Sequence, residues 1–247
     1  EYVFFAFQMT FASITPALAL GAFAERTRFA ATLLFSLLWG VFVYLPIAHM
    51  VWQSDGYLMK LGALDFAGGT VVHINAGIAG LVGALIVGKR IGFGKDLMAP
   101  HSLTLTFTGG ALLWVGWFGF NAGSALAAND VAALALVNTL LATAAAALSW
   151  MVVEWLHKGK ASLLGTLAGV IAGLGASTPA AGLVGPLGGI VLGLVGGAVS
   201  FFFCTTVKNI FGYDDTADVF GVHGVAGIVG SIGTGVFVST SLGGVGG

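Results

Sequence analysis

Charge is scarce in this sequence. Asp, Glu, Lys and Arg make up 8% of its 247 residues, against about a quarter in a soluble domain. The net charge is −1 and no basic cluster occurs, so nothing points to a nucleic-acid partner. A single cysteine, Cys204, rules out a disulfide within the chain; lying in an apolar run, it reads as a packing residue. Ser/His/Asp order, His-Glu-x-x-His and a phosphate loop are all missing, so the chain does not read as an enzyme. The histidines have no cysteine or carboxylate set beside them that would make a zinc site, so no metal and no cofactor is expected. There is no initiator Met and no signal-peptide pattern. The chain starts inside the apolar run Tyr2-Val-Phe-Phe-Ala-Phe and stops on Gly243-Gly-Val-Gly-Gly. We therefore expect residues 1–247 to be one membrane domain of a longer polytopic protein, truncated at both ends.

Apolar residues are abundant, at 57%, and the mean hydropathy is +1.00. Forty glycines fall largely inside the apolar runs, where small residues let membrane helices approach closely. Stretches of about 20 mostly apolar residues span a bilayer as helices. Eight are expected, over 2–23, 29–52, 66–88, 102–121, 130–153, 161–178, 183–206 and 218–238, the sixth short and broken by glycine. Alternate connectors hold Arg26 and Arg28, then Lys89, Arg90 and Lys95, then Lys158 and Lys160, then Lys208; the intervening connectors hold only Lys60. Excess Lys and Arg mark cytoplasmic loops. The chain start and connectors 53–65, 122–129 and 179–182 are thus expected outside.

One pattern occurs twice, 150 residues apart. His73 opens His-Ile-Asn-Ala-Gly-Ile-Ala-Gly and His223 opens His-Gly-Val-Ala-Gly-Ile-Val-Gly. An aspartate stands upstream of each, Asp65 and Asp218, and both are expected to cap their helices in the same way. The third and eighth stretches run in opposite directions, as an inverted repeat requires, with a site expected at the midplane between the halves. Ala76, Gly77 and Gly80, and Ala226, Gly227 and Gly230, share a face with their histidine. Each imidazole then projects toward other helices. It is either a packing histidine bonded to a neighbouring carbonyl or, as a duplicated pair suggests, part of a transport path.

Aromatics at a membrane interface are ordinarily anchors. Phe7 and Phe11 share a face of the first helix, Trp52 ends the second, and Trp117 and Phe120 lie in Gly-Trp-Phe-Gly-Phe-Asn-Ala-Gly-Ser124. Converging, such rings would bind a small cation on their faces or narrow a pore, and Ser124 adds a hydroxyl acceptor. Asp65 reads either as an N-cap or as a fixed negative charge favouring a cation in an outer vestibule.

These residues as an ordered set resemble the Amt/MEP/Rh ammonium transporter family, close to its bacterial Amt branch. The stretches that carry the likeness are Ala22-Phe-Ala-Glu-Arg, Ala48-His-Met-Val-Trp52, Leu64-Asp-Phe-Ala-Gly-Gly-Thr-Val-Val-His73, Gly116 to Ser124, Thr178-Pro and Asp218-Val-Phe-Gly-Val-His-Gly224. The resemblance implies an all-α, polytopic membrane helix bundle with an inverted repeat of two five-helix halves. It implies eleven spanning helices, of which these eight are the third to tenth, in a homotrimer with one pore per subunit in the cell inner (plasma) membrane. By the same resemblance, Trp52, Phe11 and Ser124 form an outer ammonium recruitment site and Phe11 and Phe120 the gate below it. Asp65 is the buried carboxylate supporting substrate binding, and His73 and His223 are the hydrogen-bonded twin histidines of the pore. Phe7, Trp117 and Thr178 match flanking pore or vestibule positions. The implied activity is capture of ammonium, its deprotonation, and conduction of ammonia with or without separate proton transfer. A PII-type regulatory protein on the cytoplasmic face, at connectors 89–101 and 154–160, is implied by the family only. Rival readings are a channel for another small molecule such as urea, and an ammonium sensor on the same fold.

Overall fold

The computed structural model describes residues 1–246. Eight helices follow one another: α1 (Tyr2–Leu20), α2 (Phe29–Lys60), α3 (Gly69–Val87), α4 (Leu103–Gly123), α5 (Asp130–Lys158), α6 (Leu163–Ser177), α7 (Pro186–Phe211) and α8 (Phe220–Phe237). No strand occurs among the described residues. Seven of the eight are long and apolar enough to cross a membrane, and α6 is shorter, at 15 residues. The expected spans agree in number and order, with ends shifted by a few residues. The largest shifts lie in α2, which breaks at Gln53 and closes with the short turn Tyr57–Lys60, and in α5 and α7, which run on to Lys158 and Phe211.

The sixth helix is not broken by its glycines. It is continuous, and most of its residues are buried. Enclosed by protein, it need not match the lipid thickness. Its glycines are contact points instead. A Cβ at Gly169 would lie 2.6 Å from Trp150 Cβ, and one at Gly173 would lie 2.9 Å from the Ala142 carbonyl oxygen. Gly197 on α7 meets the backbone of Ala146 in the same way. Helices α5, α6 and α7 thus pack backbone to backbone through Ala and Gly, the close approach that small residues permit in membranes.

Helices α3 and α8 cross antiparallel at their glycines. Gly77 abuts the backbone of Gly224, while a Cβ at Gly227 would lie 3.1 Å from both His73 Cβ and Ile74 Cγ1. The two contacts exchange when 150 is added to or taken from each number, so the duplicated stretches meet as symmetry mates of an inverted repeat. A side chain at Gly77 would have to displace backbone. We expect Gly77→Leu to cost about 1–3 kcal/mol or more by overpacking and to lower the Tm of the detergent-solubilised protein by about 2–12 °C. Gly109→Ala, with nothing within 4 Å of the added atom, should leave it unchanged.

The connectors gather at two ends. At one, Arg26 donates to the carbonyls of Ala22, Gly88 and Asp214, Arg90 grips Asp214, and Lys208 reaches Asp215 and Asp218. At the other, the Phe66 N–H donates to the Pro179 carbonyl (3.1 Å), and Asn138 Nδ2 donates to those of Ala181 and Val184. Three of the four basic connectors, those of Arg26, Arg90 and Lys208, therefore meet at one end of the bundle.

Candidate functional site

Asp65 organises the start of α3. Its Oδ1 accepts from the N–H groups of Gly68 (2.8 Å) and Gly69 (2.6 Å), and its Oδ2 from Thr70 (2.8 Å) and Val71 (3.1 Å). These are the donors that a helix start leaves without partners. The chain turns through Gly68, which is left-handed at φ +108°, a conformation that glycine adopts without steric cost. The first turn is then a wide, π-helical one, with the His73 N–H reaching back to the Gly68 carbonyl (3.1 Å). Burial pushes the Asp65 carboxyl above its ordinary range, against the pull of the four N–H donors.

The expected counterpart, Asp218, is a correction. The residue that repeats Asp65 is Asp215, whose two oxygens accept from Val219 (3.0 Å) and Phe220 (2.8 Å) at the start of α8. It stands eight residues before His223, as Asp65 stands eight before His73. Asp218 occupies the position of Gly68 instead, and it is also left-handed, at φ +56°. Its C=O accepts from Val222 (2.9 Å), as that of Gly68 does from Val72 (2.8 Å). The equal spacing was the available signal; the nearer aspartate obscured it.

The two histidines meet at the α3–α8 crossing. Their Nδ1 atoms are 3.3 Å apart, and their rings are near-parallel at 14° with centroids 5.3 Å apart. Both are buried. Trp117 of α4 lies parallel to both rings, 5.1 Å from His73 and 6.3 Å from His223. Its Nε1–H donates to Thr178 Oγ1 (2.9 Å), which in turn donates to the Leu174 carbonyl (2.8 Å). Thr178 thus fixes the indole against the imidazole pair. Between two neutral imidazoles, one Nδ1–H donates to the other Nδ1. The two outer nitrogens are then one lone pair and one N–H. The Nε2 of His73 has no partner in the protein, and His73 lines a cavity of about 430 Å³ with Ile14, Leu18, Leu113, Trp117 and Phe120. A buried polar atom without a partner is costly, so an unpaired nitrogen at an apolar cavity is a place for a small polar guest.

The remaining expected residues converge above this cavity. Phe11 and Phe120 face each other at 4.3 Å and 32°. Phe7 lies 4.8 Å from Phe11, edge on, and Trp52 lies 5.6 Å from Phe11 at 87°. The Trp52 Nε1–H donates to the Asp65 carbonyl (2.9 Å), which leaves its ring for contact. Ser124 Oγ donates its proton to the Phe120 carbonyl (2.9 Å), so its free lone pairs suit a guest that donates. Trp52, Phe7, Phe11 and Phe120 are thus linked by ring contacts that continue through Trp117 to His73 and His223, with Thr178 bonded to Trp117, Ser124 to Phe120 and Asp65 to Trp52.

An ionic cluster at the basic end was not expected. Arg90 holds the Asp214 carboxylate through its backbone N–H (2.7 Å), Nε (2.9 Å) and Nη2 (2.6 Å). Burial alone would raise Asp214, but Arg90, with Arg26, holds it below the ordinary carboxylate range. Burial pushes Asp218 up to about 6, with Lys208 pulling it down. Nothing in the one-dimensional pattern signals the Arg26 and Arg90 contacts with Asp214, because they join connectors far apart in the chain.

A model of the Ammonium Transporter Family matches residues 1–245. The chain is 56% identical over 239 residues to an ammonium transporter of Aquifex aeolicus, covering 96% of this chain and 55% of that protein. It is 54% identical over 246 residues to one of Bacillus subtilis, covering 99% and 60%. The chain thus spans somewhat over half the length of these relatives. Among solved structures, Saccharomyces cerevisiae Mep2 superposes with a TM-score of 0.89 at 41% identity, over 95% of this chain and 54% of that one. A structure titled Sensor Amt Protein superposes at 0.92 and 30% identity, over 98% and 62%.

Proposed function

This chain belongs to the ammonium transporter family, and from that premise we propose that the complete protein conducts ammonia past its twin histidines after capturing ammonium at the aromatic end of the ring contacts. The observation that carries this reading is the buried, unpartnered Nε2 of His73, a residue that lines an apolar cavity together with Phe120, whose ring lies 6.0 Å away. Ammonium is drawn to the ring faces of Trp52 and Phe11 and donates to Ser124 Oγ. Entering the cavity as an ion costs from several to over 10 kcal/mol. Giving up its proton to water at the aromatic end near pH 7 costs only about 3–4 kcal/mol, since an amine pKa lies about two to three units above neutral. Neutral ammonia is therefore the species that passes Phe11 and Phe120. In the cavity it both donates to and accepts from the imidazole pair. Potassium has no proton to lose and meets the full cost of desolvation.

Asp65 acts by building the turn that presents His73, and Phe7, Trp117 and Thr178 hold the walls. The basic end is cytoplasmic, the membrane is the inner (plasma) membrane, and the protein assembles as a homotrimer with a PII-type regulator at its cytoplasmic connectors. Urea shares neither the cation–π step nor the acid–base step. The test is uptake of radiolabelled methylammonium by cells lacking their own transporters and expressing the full-length protein. Uptake should be competed by ammonium and unaffected by potassium or urea at tenfold excess. Competition by urea would favour the rival channel. No uptake, with ammonium still shifting the Tm of the purified protein, would favour a sensor.

A further inference from the structure

At the basic end, the side chain of Lys208 is itself an ammonium group seated in a cradle. Its Nζ donates to the Asp215 carbonyl (2.6 Å) and to Asp218 Oδ1 (2.7 Å). The other cations of the cluster are committed elsewhere: Arg90 to Asp214, and Arg26 to three carbonyls and Asp214. The Asp215 carboxylate is taken up by the Val219 and Phe220 N–H groups. Lys208 is thus the cation that Asp218 holds. The cradle sits beside the C-terminal end of α1. The cavity under His73 extends to Leu18 on α1. A Cβ at Gly21, one turn further, would lie 3.1 Å from Val219 Cγ2 and 3.4 Å from Ala217 Cβ, the two neighbours of Asp218. The Asp218 side chain keeps 34% of its surface exposed, against 13% for Lys208.

We propose that Lys208 is a specificity-determining residue for transport: a tethered ammonium that occupies the inner-mouth cradle of Asp218 and the Asp215 carbonyl and so keeps the re-formed substrate ion from being held there. This rests on the transport reading above. Ammonia leaving the conduit takes a proton from the cytosol and becomes a free ion carrying the same N–H donors as the lysine head. It competes with a group whose short tether gives a local concentration of about millimolar. The other half of the repeat has no such device, since Gly68 stands where Asp218 does and offers no carboxylate. The two mouths therefore differ: the outer one is left free to bind the ion, and the inner one is already filled.

The test uses the full-length protein in right-side-out and inside-out membrane vesicles, with methylammonium flux read from each face. Lys208→Met should lower the half-saturating concentration at the basic face about threefold or more and leave that at the opposite face unchanged. Lys208→Arg should restore the wild-type value. Adding Asp218→Gly to Lys208→Met should abolish the gain; glycine tolerates the left-handed backbone there, as Gly68 does in the other half. If the methionine variant does not reach the membrane, Lys208→Gln takes its place. An unchanged half-saturation at the basic face, a gain that survives Asp218→Gly, or an equal shift at both faces would overturn the proposal, the last by revealing a merely structural ion pair. Wild-type vesicles without flux would overturn it together with the transport reading, whereas normal wild-type flux with no effect of Lys208→Met would overturn it alone.

Discussion

Replacing both pore histidines, His73→Ala with His223→Ala, should cut methylammonium uptake by about 5- to 150-fold. The figure follows from the partners that a neutral amine would lose. The two rings meet through Nδ1 at 3.3 Å, and Nε2 of His73, a residue that lines the cavity, has no partner. Without them, a guest crossing the cavity would forfeit about 1–3 kcal/mol of hydrogen bonding, and each 1.36 kcal/mol is about tenfold in rate. The alanines would also leave Trp117 without the imidazoles that it stacks on. Initial uptake rates, normalised to protein in the membrane, measure the effect. Glutamine at both positions keeps a donor and an acceptor and should fall between wild type and the alanine pair. Unchanged uptake together with unchanged exclusion of potassium would remove the histidines from the mechanism.

The second large effect is expected at Asp65. One carboxylate there serves four backbone N–H groups over Gly68 to Val71. Asp65→Ala would strand all four in a buried turn at about 1–3 kcal/mol each before relaxation or water entry. That is comparable with the whole stability of a typical domain. The expected result is loss of most folded protein from the membrane, by immunoblot and size-exclusion profile, and loss of uptake with it. Asp65→Asn keeps an acceptor for two of the donors and turns an NH2 toward the other two, so it should retain an intermediate amount of protein. If Asp65 acted mainly as a charge attracting the cation, the asparagine variant would fold fully and transport nothing.

Parts of this arrangement are legible in the chain because each rests on a local rule. The eight apolar runs announce the helices, since backbone amides in lipid must be satisfied within the helix. The duplicated histidine stretches announce an inverted repeat, because Lys and Arg fix the direction of each run. Other parts are misread for equally physical reasons. Gly169 and Gly173 look like breaks in α6, yet in the bundle they are the surfaces on which α5 lies. Asp218 looks like the mate of Asp65, yet hydrogen bonding assigns that part to Asp215.

Sequence alone announces eight apolar helices in their order, the alternation of basic connectors and the duplicated residues, because hydropathy, charge and spacing are properties of short stretches. Folding in three dimensions decides which carboxylate caps which helix, that the His73 and His223 rings stack under Trp117, and that Lys208 rather than an arginine holds Asp218. The ring contacts depend on distances between segments up to 150 residues apart, which close packing of small side chains sets, whereas the caps and the Lys208–Asp218 pair lie within ten residues, where two nearby aspartates compete for one role and only the hydrogen bonds separate them.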